Sequence, residues 1–91
     1  MSKEVKTLLN KHQKLIHSEH VKVISHVQRE QDDWFLNTVM LDGIDVPFKY
    51  KRKQAYRSLA GQRVNLTYYS DTESVAGFDI DIMRVVRVKV S

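Results

Sequence analysis

The chain contains no cysteine, which excludes disulfides, thiol catalysis and cysteine-ligated zinc together. Its fold must hold by packing alone. That suits a reducing compartment, and a cytoplasmic location is expected. Proline occurs once and glycine three times, so there is no linker and no low-complexity tract. No apolar run approaches the roughly 18–20 residues that span a bilayer. The opening Met1-Ser-Lys-Glu-Val-Lys has no apolar signal-peptide core, so no membrane association is expected. Also missing are a Gly-x-Ser-x-Gly elbow, a phosphate loop and a dinucleotide fingerprint. The expectation is a protein that is not an enzyme and carries no cofactor. Histidines stand at 12, 17, 20 and 26, and His17 and His20 are spaced for one helical face. A third ligand is not evident, so no metal is expected. Asp79 and Asp81 share a strand parity that could meet Mg²⁺, but nothing else points to a cation.

What the chain does have is charge arranged in blocks. Its 91 residues make one domain, 1–91, with 42% hydrophobic and 29% charged residues and a net charge of +4. Residues 1–20 sum to +2, residues 21–48 to −3, residues 49–63 to +6, residues 64–83 to −4 and residues 84–91 to +3. The stretch from Lys49 to Arg63 holds six basic residues and no acidic one, with Tyr50 and Tyr56 among them. Such a segment favours a polyanion as ligand.

Periodicity organises the rest. Val5, Leu8, Leu9, Leu15 and Ile16 form the stripe of an amphipathic helix, expected over residues 1–20, with the barrel over 21–91. Alternation then predicts strands over about 21–30 and 34–41. Asp42-Gly43 signals a turn into a third strand from Ile44 to Tyr50, in which Pro47 belongs at an edge or bulge. Gln54 to Ala60 is expected to form two helical turns ended by Gly61. A fourth strand covers Arg63 to Tyr69, an acidic loop covers Ser70 to Gly77, and a fifth strand covers Phe78 to Val90. A bulge is expected near Met83-Arg84, where the parity breaks. Five strands with a helix between the third and fourth is the order of an OB-type barrel, here mainly β with two helices. An SH3-like or Sm-like barrel is the alternative.

Trp34-Phe35-Leu36, Leu41-Asp42-Gly43, the basic Lys49 to Lys53, and Leu59-Ala60-Gly61-Gln62-Arg63-Val64-Asn65-Leu66 carry a resemblance. This set resembles the S1-like group of OB-folds, which includes bacterial translation initiation factor one. The last piece looks like that group's "L-x-G-x-R-V-x-V" approach to strand four. The resemblance covers about thirty residues and implies the fold.

The candidate nucleic-acid-binding residues are Lys49, Lys51, Arg52, Lys53, Tyr56, Arg57, Arg63 and Tyr69. The cations would meet phosphates, and outward aromatics would stack on bases. Tyr69 points outward if Tyr68 points inward, beside Arg63, Asn65 and Thr67. Tyr50 reads as core and Trp34 as core or rim. The expected role is non-catalytic, mainly electrostatic binding of single-stranded DNA or RNA. The alternative is a protein-interaction module: an adaptor or inhibitor docking an acidic protein, or a self-associating barrel forming a homodimer.

Overall fold

A computed structural model describes residues 14–91. Five strands account for most of them: β1 (Ile16–Gln31), β2 (Trp34–Leu41), β3 (Phe48–Arg52), β4 (Arg63–Val75) and β5 (Phe78–Val90). They close into a ring in the order β1-β2-β3-β5-β4, with β4 pairing back onto β1. All pairs are antiparallel except β3–β5, which is parallel and consists of Phe48↔Met83 and Lys49↔Arg84. β1 serves two neighbours. Its residues 23–31 pair with β2 and residues 16–22 with β4. The register shifts between Ser18 and Val21 and again between Val23 and Ser25, and His20 lies between with φ 59°. Such bulges bend a strand, which lets one strand turn the corner of a barrel.

Alternation decides what goes inside. On β2 the inward parity is Asn37, Val39, Leu41; on β4 it is Val64, Leu66, Tyr68. With Val23 and Phe48 the apolar members of these rows form the core. Phe48 meets Tyr68 edge-on, ring centres 4.8 Å apart at 77°, a favoured aromatic geometry.

Neither expected helix is supported. Residues 1–13 lie outside the described residues. Ile16 to His20, the end of the expected helix, belong to β1 instead, where Ile16, His17 and Ser18 oppose Tyr68, Thr67 and Leu66. Side chains join across that pair: Ser18 Oγ and Tyr68 OH are 2.8 Å apart, His17 Nδ1 and Thr67 Oγ1 2.9 Å. A long-range ladder has overridden a local helical stripe. The helix expected over 54–60 is an irregular segment. Its backbone donors find other acceptors: Leu59 N–H gives to His26 Nδ1, Ala60 N–H to Ser58 Oγ, and Gly61 N–H to the Val23 carbonyl. An i→i−4 ladder is not needed when side chains and a neighbouring strand satisfy the backbone.

Strand bounds also shifted. β3 begins only at Phe48; Asp42 and Gly43 form a turn, but a six-residue connection follows Leu41. Pro47 sits just before β3, and its carbonyl accepts from Met83 N–H at 2.9 Å. The expected acidic loop is the outer half of a β4–β5 hairpin, paired through Val75↔Phe78. The β5 bulge falls at Val86, skipped between Tyr68↔Val85 and Thr67↔Arg87, rather than at Met83-Arg84.

The hairpin turns at Ala76 and Gly77, with φ 51° and 86°. Two positive-φ residues match the right-handed twist of the strands, and alanine is poorly suited to the first place. Ala76→Asn should raise stability by about 0.5–1 kcal/mol and the melting temperature by about 2–8 °C. Ala76→Val should lower it. Thermal melts followed by circular dichroism check both.

Candidate nucleic-acid interface

Because Phe48 points inward, the alternate β3 residues Lys49 and Lys51 point outward, and Lys53 follows just after the strand. Register carries them into rows with β2 and β1. Lys49 opposes Thr38, which opposes Val27; Lys51 opposes Leu36, which opposes Arg29. Trp34, at the start of β2, opposes Gln31. The outer face of β1–β2–β3 is therefore an apolar strip, Val27, Leu36 and Trp34, fringed by Arg29 and the β3 lysines. The Lys53 ammonium lies 4.3 Å and the Lys51 ammonium 5.0 Å from the Trp34 ring centre, both in cation–π range.

A cleft of about 950 Å³ borders this face. It opens because β3–β5 pairing stops at Lys49↔Arg84 while both strands run on. Tyr50 to Arg52 line one side and Val85 to Val88 the other. Six basic residues line the cleft, Arg29, Lys49, Lys51, Arg52, Arg84 and Arg87, against Asp32 and Glu73. Two cations have acidic partners from β4. Lys49 Nζ meets Glu73 Oε1 at 2.6 Å, and Arg84 meets Asp71 Oδ2 at 3.3 Å. All four side chains are about one-third exposed, so each pair is worth roughly 0–1 kcal/mol.

The expected site residues do not form one cluster. Lys49, Lys51 and Lys53 share the outer face. Arg52 has the opposite parity, and its guanidinium lies 5.5 Å from the ring centres of both Tyr50 and Tyr56. Tyr56 and Arg57 are exposed on the irregular 53–62 segment and border a cavity of about 180 Å³ with His26, Asn37 and Leu59. Arg63 and Tyr69 stand on β4, which neighbours neither β2 nor β3. Tyr68 is buried and Tyr69 lies on the other parity, half-buried. Trp34 is half-buried on the outer face, hence rim. Tyr50 packs against the core.

Sequence reasoning missed Arg29, Arg84 and Arg87. Arg29 had a signal, since it shares parity with Val27 in a strand that continues to Gln31. Arg87 alternates with Val86 and Val88 and could have been read from parity, whereas the parity break at Arg84 signalled a bulge but not its place at Val86. The helical spacing of His17 and His20 has no counterpart, since His17 pairs with Thr67 while His20 lies in the strand bulge; the His20 ring reaches Ser91 Oγ at 2.8 Å. Among the described residues no three of His, Asp and Glu group as metal ligands, and no helix is long and apolar enough to cross a membrane.

No family model matches the chain, and neither a curated protein nor a solved structure does.

Burial pushes the Tyr50 phenol above the usual tyrosine pKa, while the Arg52 guanidinium pulls it down. A raised folded-state pKa contributes stability that is complete below the unfolded value, about 10, and is lost as pH rises through the folded value. Tyr50→Phe should flatten the alkaline fall in melting temperature. The difference in ultraviolet tyrosinate absorbance between the parent and Tyr50→Phe should titrate above the usual tyrosine value.

Proposed function

We propose that this protein binds single-stranded nucleic acid, DNA or RNA, on the outer face of β1–β2–β3, without catalysing a reaction on it. The observation that carries the reading is Trp34, flanked by the Lys51 and Lys53 ammoniums on a face that also presents Arg29. Single-strand binders need two things of a surface: cations that track phosphates and an aromatic on which a base stacks. Both occur here, with the two ammoniums 4.3 and 5.0 Å from the Trp34 ring centre. The cleft supplies more cations than acids, which gives capture with little sequence preference.

The fold supports the same reading. The order β1-β2-β3-β5-β4 with a parallel β3–β5 pair favours an OB-type barrel over an SH3-like or Sm-like one, where β4 would lie beside β3. OB barrels present the β2–β3 face to oligonucleotides. The lack of cysteine fits a reducing location such as the cytoplasm.

Docking of a protein partner, or a homodimer, is the second reading. It is favoured by Val75, Phe78 and Ile80, exposed along one face of the β4–β5 hairpin. An acidic protein would instead seek the same cations as nucleic acid.

The single tryptophan gives a direct readout. Oligothymidine should quench Trp34 fluorescence at low salt. With three or four phosphate contacts, affinity should fall about 20–50-fold between about 50 and 200 mM salt. Lys51→Glu with Lys53→Glu should abolish binding without unfolding the protein, as both side chains are exposed. No quenching at low salt would sink the reading. Self-association by light scattering in that case would favour the second.

A further inference from the structure

The ring carries a second basic surface, which meets the first at Arg87, a residue that also lines the cleft. Outward on β4 stand Arg63, Asn65 and Thr67; beside them on β5 stand Lys89 and Arg87, and beside them on β1 stand Lys22 and His17. Residues 63–70 and 84–91 contain no acid. Lys22 directly opposes Arg63, and both are exposed. Like charges facing each other across a ladder destabilise it, and among the described residues neither they nor Lys89 and Arg87 have a carboxylate partner. The two ion pairs of the described residues instead hold cations at the rim of the first face.

We propose that this β1–β4–β5 face is a second polyanion site. It binds the sugar–phosphate backbone of a separate nucleic-acid segment, so that one molecule bridges two strands. The proposal rests on the first face being a nucleic-acid site. The face is preset for phosphate. His20 N–H gives to Asn65 Oδ1 at 2.9 Å and Arg63 Nη1 to the His20 carbonyl at 3.1 Å, so the β1 bulge holds both side chains in place. The remaining guanidinium donors, the Asn65 amide and the two ammoniums offer hydrogen bonds suited to phosphate oxygens. Lys89 shares the small cavity with the exposed Tyr56, whereas Lys22 and Arg63 line neither that cavity nor the cleft beside Trp34. β4 touches neither β2 nor β3 in the ring, and Lys22, Arg63 and Lys89 do not line the cleft of the first face.

Two oligothymidines of about 20 nucleotides, one with a donor dye and one with an acceptor, cannot pair with each other. The parent protein should bring them together and give energy transfer. Lys22→Glu with Lys89→Glu should cut that transfer at least about fivefold, while the Trp34 titration midpoint moves by less than about twofold. The first substitution sets a carboxylate opposite Arg63, so the melting temperature should not fall. Lys22→Gln with Lys89→Gln should give an intermediate loss. Quenching of Trp34 without energy transfer, or transfer that the Glu variant leaves unchanged, would overturn the second site alone. Absence of any Trp34 response would overturn both sites.

Discussion

The barrel closes through Phe48. It stands at the start of the shortest strand, opposes Val39 of β2 on one side and Met83 of β5 on the other, and packs its ring on Tyr68 of β4. Only one further pair, Lys49↔Arg84, joins β3 to β5. The fully buried ring therefore fixes the parity of the strand after it: Phe48 inside forces Lys49 and Lys51 outside. The brevity of the same junction opens the cleft, because two strands that part after two residues leave a seam. Core packing and candidate site are thus two sides of one placement. Removing the ring, as in Phe48→Ala, would release about 3–5 kcal/mol of packing and the register together.

The charge blocks of the sequence acquire meaning from the ring. The acidic 64–83 block is not a loop hanging free. Asp71 and Glu73 share the β4 face that meets Arg84 and Lys49, so the hairpin answers the basic strand where β5 joins it. These exposed pairs add little to stability. Their larger effect is to leave Lys51, Lys53 and Arg29 as the less opposed cations of that face. The C-terminal basic block, distant in sequence from residue 63, is brought beside it by the β4–β5 ladder.

The strands were legible where alternation was strong and one face was apolar. β2 and β5 have the expected bounds because their rows are dense in branched and aromatic residues. The outer half of β4 was not legible, since Ser70-Asp-Thr-Glu-Ser74 lacks an apolar face, and its strand character comes from pairing with β5. Where the expected helices fall on the described residues, they gave way for a related reason. A stripe such as Leu8, Leu9, Leu15, Ile16 records spacing, but residues 16–20 were claimed by β4, a partner more than forty positions away. Of the site, the β3 lysines could be read from parity alone. Their union with Trp34 and Arg29, and their separation from Arg63 and Tyr69, required the strand order.

One buried group explains why the 53–62 segment lies as it does without a helix. Asn37 is inward and 4% exposed, so its amide must be satisfied inside the barrel. Its Nδ2 gives to the Phe35 carbonyl at 3.1 Å, and its Oδ1 lies 2.7 Å from His26 Nε2. Leu59 N–H gives to the other ring nitrogen, His26 Nδ1, at 2.8 Å. That bond requires a bare Nδ1, so the proton sits on Nε2 and points at Asn37: a neutral imidazole with its tautomer set by its neighbours. The chain from Phe35 through Asn37 and His26 to Leu59 ties β2, β1 and the irregular segment together. An ordinary helix over 54–60 would spend the Leu59 N–H on its own backbone and leave His26 Nδ1 without that donor. The polar inward position on β2 and the missing helix are therefore one fact, and Tyr56 and Arg57 are held at the barrel by it.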